Sequence, residues 1–255
     1  MSLSTFAALL SRDAHVARRN FFTFLIQTLL QPMLLTFVFG RVMTQSGFLP
    51  PAYKSLLLPG IIALSMILSG VQAVAMPTVM EFVTKEIEDR LLAPIAVEWF
   101  AVERIVAGMI QALLSGLIVV PTAWLVMGRD VDLSFQHPFR LALLALLVAS
   151  LSSALGLVLG CKVGPTQIGL MFTLVLGPMI FFGCTYYPWS ALAGFPILQK
   201  LVLLNPVVYA AEGFRSVLVP QFPHLPTSIV FTGLGAFDAV FVALAIREFR
   251  LKALS

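Results

Sequence analysis

The chain has 255 residues, 59% hydrophobic and only 11% charged, with a mean hydropathy of +0.98. That balance excludes an ordinary soluble domain and describes a polytopic membrane protein. The net charge of +4 and pI of about 9.3 do not point to nucleic acid, because the basic residues flank apolar runs instead of gathering in a patch.

Residues 1–19 place Leu3, Phe6, Ala7, Leu10, Ala14 and Ala17 at helical spacing, with Arg12, His15, Arg18 and Arg19 elsewhere on the wheel, which predicts an amphipathic helix at the cytoplasmic interface. The apolar run that follows lacks a small-residue cleavage site, so it is read as a retained span and not a signal peptide. Six spans are expected: Phe21 to Met43, kinked at Pro32; Leu56 to Thr78; Ile105 to Met127; Leu141 to Cys161; Gln167 to Tyr187; and Thr227 to Ile246, followed by the basic tail Arg247, Arg250 and Lys252. Small residues in the second span (Gly60, Ser65, Ser69, Gly70) and the fourth (Ser150, Ser152, Ser153, Gly156, Gly160) predict close helix contacts. Cys161 and Cys184 fall near opposite ends of successive spans and are expected to remain unbridged.

Between the second and third spans lies a charged island, residues 81–104, holding six of the 12 acidic residues: Glu81, Glu86, Glu88, Asp89, Glu98 and Glu103. Residues Glu81 to Leu92 alternate a charged face (Glu81, Lys85, Glu88 or Asp89) with an apolar one (Phe82, Ile87, Leu91), and the stretch stops before Pro94. A solvated loop is the plain alternative. The alternation of faces favours a helix on the membrane surface, one side packed on its own spans and the other open to a soluble partner.

Lysine and arginine number 10 on the side of the two termini and of this island against 6 on the other, so both termini are expected in the cytoplasm. Residues 187–226 then form an external loop, too long for a turn and too apolar for a solvated one. Within it, Glu212 and Arg215 stand at i, i+3 amid apolar residues, which suits a short helix dipping into the outer interface as a gate; a membrane-hugging loop is the equal alternative. Asp238 in the sixth span is read as bonding to a neighbouring helix in preference to a proton relay.

Nucleotide-binding, zinc-protease and hydrolase motifs are all missing from the sequence, so the chain is not expected to catalyse a reaction. The layout resembles the ABC-2 type permease family over nearly the whole chain. Two passages carry the likeness: Glu86-Ile87-Glu88-Asp89-Arg90-Leu91-Leu92-Ala93-Pro94, similar to the family's acidic, leucine-rich cytosolic segment, and Leu204-Asn205-Pro206 with Arg215 downstream, similar to its outer-loop signature. The resemblance implies an all-α, single transmembrane domain over residues 1–255, with residues 1–19 as connecting helix and residues 81–104 as coupling segment. It implies a multi-pass protein of the inner (plasma) membrane that works with a second permease copy or homologue and a pair of cytosolic ABC ATPase subunits. Those subunits use ATP and Mg, and this chain itself holds no cofactor.

On that likeness Glu81, Lys85, Glu86, Glu88, Asp89 and Arg90 meet the ATPase, and Asn205, Pro206, Glu212 and Arg215 form the external gate. The second and fifth spans line a path for an amphiphilic, lipid-linked or drug-like cargo, with Met66, Met171, Phe172, Met179, Phe181 and Phe182 offering pliant or aromatic surface without fixed charge. Two rival readings stand beside it. A secondary carrier or channel would show more intramembrane charge or a repeated half. An embedded enzyme would need converging acid, base or metal ligands, whereas His15, His137 and His224 scatter along the chain.

Overall fold

The computed structural model describes residues 30, 32–87, 96–128 and 132–254. The expected interface helix at residues 1–19, most of the first span, and Glu88, Asp89, Arg90 and Pro94 lie outside the described residues. Those described form helices joined by turns, with no strand. In chain order they are α1 (residues 32–45, π-helical over Thr36–Val42), α2 (Tyr53–Thr84), α3 (Val97–Met127), α4 (Pro138–Lys162), α5 (Ile168–Phe181, π-helical over Phe172–Leu176), α6 (Pro196–Leu201), α7 (Pro206–Leu218) and α8 (Thr227–Ala253).

Four of these, α2, α3, α4 and α8, are long and apolar enough to cross a membrane. The bent pair around Asn205 is a broken span or a re-entrant loop, so the expected count of six is met only in part. The fifth span is the clearest difference. The sequence suggested Gln167 to Tyr187, but α5 stops at Phe181, giving roughly 21 Å of helix at 1.5 Å per residue against a hydrocarbon core of about 30 Å. The chain then turns inward, burying Gly183, Cys184 and Thr185.

The centre of the bundle is α2. Of its most apolar 18-residue window 83% is buried, against 33% for α3 and 17% for α8. Small residues make this possible by letting backbones approach. A Cβ on Gly156 of α4 would lie 2.7 Å from the Val71 carbonyl oxygen of α2, and one on Gly70 would lie 2.1 Å from Ser152 Oγ. The close contacts expected of the second and fourth spans are therefore made by those two spans to each other. Cys161 and Cys184 are free and buried.

All four long helices outrun their apolar runs. Helix α2 begins three residues before Leu56 and ends six after Thr78, and α8 carries Arg247, Arg250 and Lys252 on helical backbone. Helix α2 stops where Lys85 takes a left-handed conformation (φ 60), an uncommon state for a residue with a Cβ.

Candidate functional site

Two polar constellations sit at opposite ends of the bundle. The first is built on the elbow between α6 and α7, which turns through 98°. Asn205 and Pro206 make the corner. The Asn205 side chain accepts from the Val207 N–H at 3.0 Å as an N-cap, and Pro206 occupies the first turn, where its missing N–H costs nothing. The Asn205 amide also donates to the Met179 carbonyl at 2.6 Å, tying the corner to α5.

All thirteen residues of α7 are buried, so α7 is a core helix and not a membrane-hugging loop. Glu212 and Arg215 are both 0% exposed and form an ion pair. Glu212 does more than neutralise Arg215: one carboxylate oxygen accepts from the Trp189 N–H and the other from the Leu225 N–H, each at 2.8 Å. Arg215 in turn donates to the Cys184 carbonyl at 3.1 Å. The pair thus gathers the chain ahead of α6, the chain ahead of α8 and the turn after α5. Cys184 is left-handed (φ 54), which aims its carbonyl at Arg215. Next to it the Thr185 carbonyl presses on α2, where a Cβ on Gly60 would fall 1.8 Å from that oxygen. Tyr53 at the head of α2 donates to the Tyr186 carbonyl at 2.6 Å. Four segments are knotted on one buried charge pair.

The second constellation lies at the other end. The sequence suggested that Glu81 opens a new surface helix and shows its charge to a partner. Instead α2 runs on through Thr84, which turns Glu81 inward, where it is 8% exposed and paired with the buried Arg104 of α3. After the break at Lys85, both Lys85 and Glu86 are exposed while Ile87 is buried in an apolar cluster with Phe100, Ile105, Leu157 and Phe249. In the described part of the island, then, Glu81 departs from the expected charged face, and only Lys85 and Glu86 on one side and Ile87 on the other lie as that reading places them.

Around this end Lys162 pairs with Glu248 at 3.5 Å and Arg250 with Glu98 at 3.3 Å. Phe82 meets the Phe249 ring edge-on at 5.9 Å between centroids. Lys252 Nζ stands 4.6 Å above the Phe82 ring and donates to the Gly160 carbonyl at 3.3 Å. None of these tail contacts was foreseen from the sequence. The signal available was the spacing of Glu248, Phe249 and Lys252 at the end of an apolar run.

The residues suggested for a cargo path divide. Phe181 and Phe182 are exposed, at 68% and 49%, and Met171, Phe172 and Met179 are partly so. Met66 is buried, its thioether packed on Gly116 of α3, and so faces no path in this chain. Asp238 has its Oδ1 buried without a hydrogen-bond partner among the described residues.

A bundle of long apolar helices, with a charged break at one end and an elbow of buried helix at the other, describes a multi-pass membrane protein. The ABC-2 type transporter family model matches residues 4–219, and the chain belongs to that family. It is similar to the inner membrane transport permease YadH of Escherichia coli K12, 29% identical over 206 residues that cover 74% of this chain and 75% of the relative. The YadH proteins of E. coli O157:H7 and of Shigella flexneri match with the same identity and coverage. As a member of the family the chain is the membrane-spanning permease part of an ABC transporter and not itself an enzyme. ATP is hydrolysed by a partner ABC ATPase subunit.

Proposed function

We propose that this chain is the permease subunit of an ATP-driven exporter in the inner (plasma) membrane, moving an amphiphilic, lipid-linked or drug-like cargo. Two permease subunits, copies or homologues, work with two ATPase subunits that bind ATP and Mg. Both termini face the cytoplasm, so the Lys85 break is cytosolic and the elbow is external.

The observation that carries this reading is the break itself. A span ends in a left-handed residue, two charged side chains are turned to solvent, and Ile87 is anchored in the core beneath them. Such a segment is held from below and legible from above, as a docking element must be. Lys85, Glu86, Glu88, Asp89 and Arg90 form the ATPase-facing set, and Glu81 drops out because its carboxylate is spent on Arg104.

At the other end Asn205, Pro206, Glu212 and Arg215 hold the external cap rather than hinge it, because each is bonded or buried within it. The cargo path runs along α5, past Met171, Phe172, Met179, Phe181 and Phe182, where two permease subunits meet. The test is charge reversal of Glu86, Glu88 and Asp89 to lysine. Membrane insertion should persist while the ATPase recovered with the tagged chain falls by ~10-fold or more, as expected when like charges face each other across an interface. Full recovery of the ATPase with correct insertion would refute the docking assignment.

A further inference from the structure

The last helix is fastened by side chains at both ends and packs one face along α4 between them. At its cytosolic end Phe249 is buried against Phe82, and Lys252 lies over the same ring while bonding the Gly160 carbonyl. Gly160 is in the last turn of α4, where carbonyls lack intrahelical donors and carry the negative end of the helix dipole. One ammonium therefore joins α8 to α2 and to α4, three residues before α2 breaks at Lys85.

At the elbow end, the Leu225 N–H just ahead of α8 is held by Glu212. Tyr209 of α7 covers Gly233, where a Cβ would lie 2.4 Å from its ring, and its ring centroid stands 5.7 Å from that of Phe237. Between these fastenings only 17% of the span's apolar window is buried. Its outer face is open, so α8 sits at the edge of the bundle, where a helix shifts as a unit with less repacking than one enclosed on all sides.

We propose that α8 is a transmission rod between the ATPase-docking break and the external elbow, with Lys252 and Phe249 as the positioning residues that couple it to α2. The proposal rests on the reading that the ATPase docks at residues 85–90. A push there reaches Phe82 through one turn of helix, passes to Phe249 and Lys252, and shifts Leu225 and, through Glu212, the elbow. Spatial continuity alone is not coupling, so the test measures movement at the far end.

The experiment uses the complex purified through a tag on this chain and reconstituted in liposomes. Cys161 and Cys184 are replaced, and Gln221→Cys, on the exposed turn beside the elbow, serves as reporter for an impermeant maleimide with and without ATP and Mg. With Lys252 intact, nucleotide is expected to change the labelling rate several-fold. Lys252→Met should abolish that change and lower ATP turnover, with ATPase recovery unaltered. Lys252→Arg, which keeps a cation over the ring, should restore both. Phe82→Leu keeps the apolar contact with Phe249, removes the ring face and should behave as Lys252→Met does.

The proposal is overturned if the reporter is insensitive to nucleotide with Lys252 intact, if Lys252→Met retains the response, or if Lys252→Arg fails to restore it. Failure of the unsubstituted chain to recover any ATPase would defeat the docking reading instead, and is scored separately.

Discussion

Glu212 is the residue on which the elbow depends most, and its replacement is a quantitative test of the buried knot. Glu212→Gln keeps the size and one accepting oxygen but removes the charge that balances Arg215, and it leaves one of the two backbone donors, Trp189 N–H or Leu225 N–H, without an acceptor. Breaking a buried pair from one side costs about 3–5 kcal/mol, and an orphaned buried donor about 1–3 kcal/mol. Because the terms share one carboxylate they overlap, and a loss of about 4–6 kcal/mol is expected for Glu212→Gln. Arg215→Met should cost less. It leaves a carboxylate still solvated by two N–H groups, gives up one bond to the Cys184 carbonyl, and removes a buried Nε that meets no acceptor among the described residues. The double variant should be less damaging than the two single losses added. Denaturant unfolding of the detergent-solubilised subunit reads all three. Should Arg215→Met prove as costly as Glu212→Gln, or the losses simply add, the carboxylate is not the organising group.

Two further outcomes follow from close packing and from exposure. Gly60→Ala sets a methyl 1.8 Å from the Thr185 carbonyl and should cost about 1–3 kcal/mol by overpacking, whereas Gly235→Ala meets nothing within 4 Å and should gain up to about 1 kcal/mol of helix propensity; thermal unfolding in detergent compares them. Replacing Phe181 and Phe182 together by alanine should change export rate or cargo range at unchanged expression and ATPase recovery, and indifference of export to every substitution along residues 171–182 moves the path elsewhere.

The long apolar runs were legible because a bilayer demands them, and so was the corner at Asn205-Pro206, whose cap and first-turn chemistry is local. The Glu212 and Arg215 spacing gave their mutual pairing but not their burial, since the groups that complete the knot, Trp189 N–H, Cys184 C=O and Leu225 N–H, come from separate segments. Glu81 misled for a related reason. Its partner Arg104 is 23 residues away, and only the continuation of α2 beyond its apolar run turns the carboxylate inward. Met66 was grouped with the exposed residues of α5 because composition is blind to orientation: α2 and α3 share a hydropathy of 2.0 yet differ by 83% to 33% in burial. The short α5 was hidden by a run of apolar residues that continues past Phe181 into a turn folded back on the bundle.

The central position of α2 also sets an order of events during synthesis. Its hydropathy of 2.0 lets it leave the translocon for lipid on its own, but the groups that enclose it, Ser152 and Gly156 of α4 and the Thr185 carbonyl, are made some seventy residues or more later. Until then the surfaces of α2 that meet α4 and the turn after α5, Gly70 and Gly60 among them, stand in lipid or against a chaperone, while its α3 face is covered, the Ser69 hydroxyl donating to the Gln111 carbonyl. A nascent chain halted after α3 should therefore be inserted yet remain unassembled and open to membrane quality-control proteases, and protection should appear only once α4 has entered beside it.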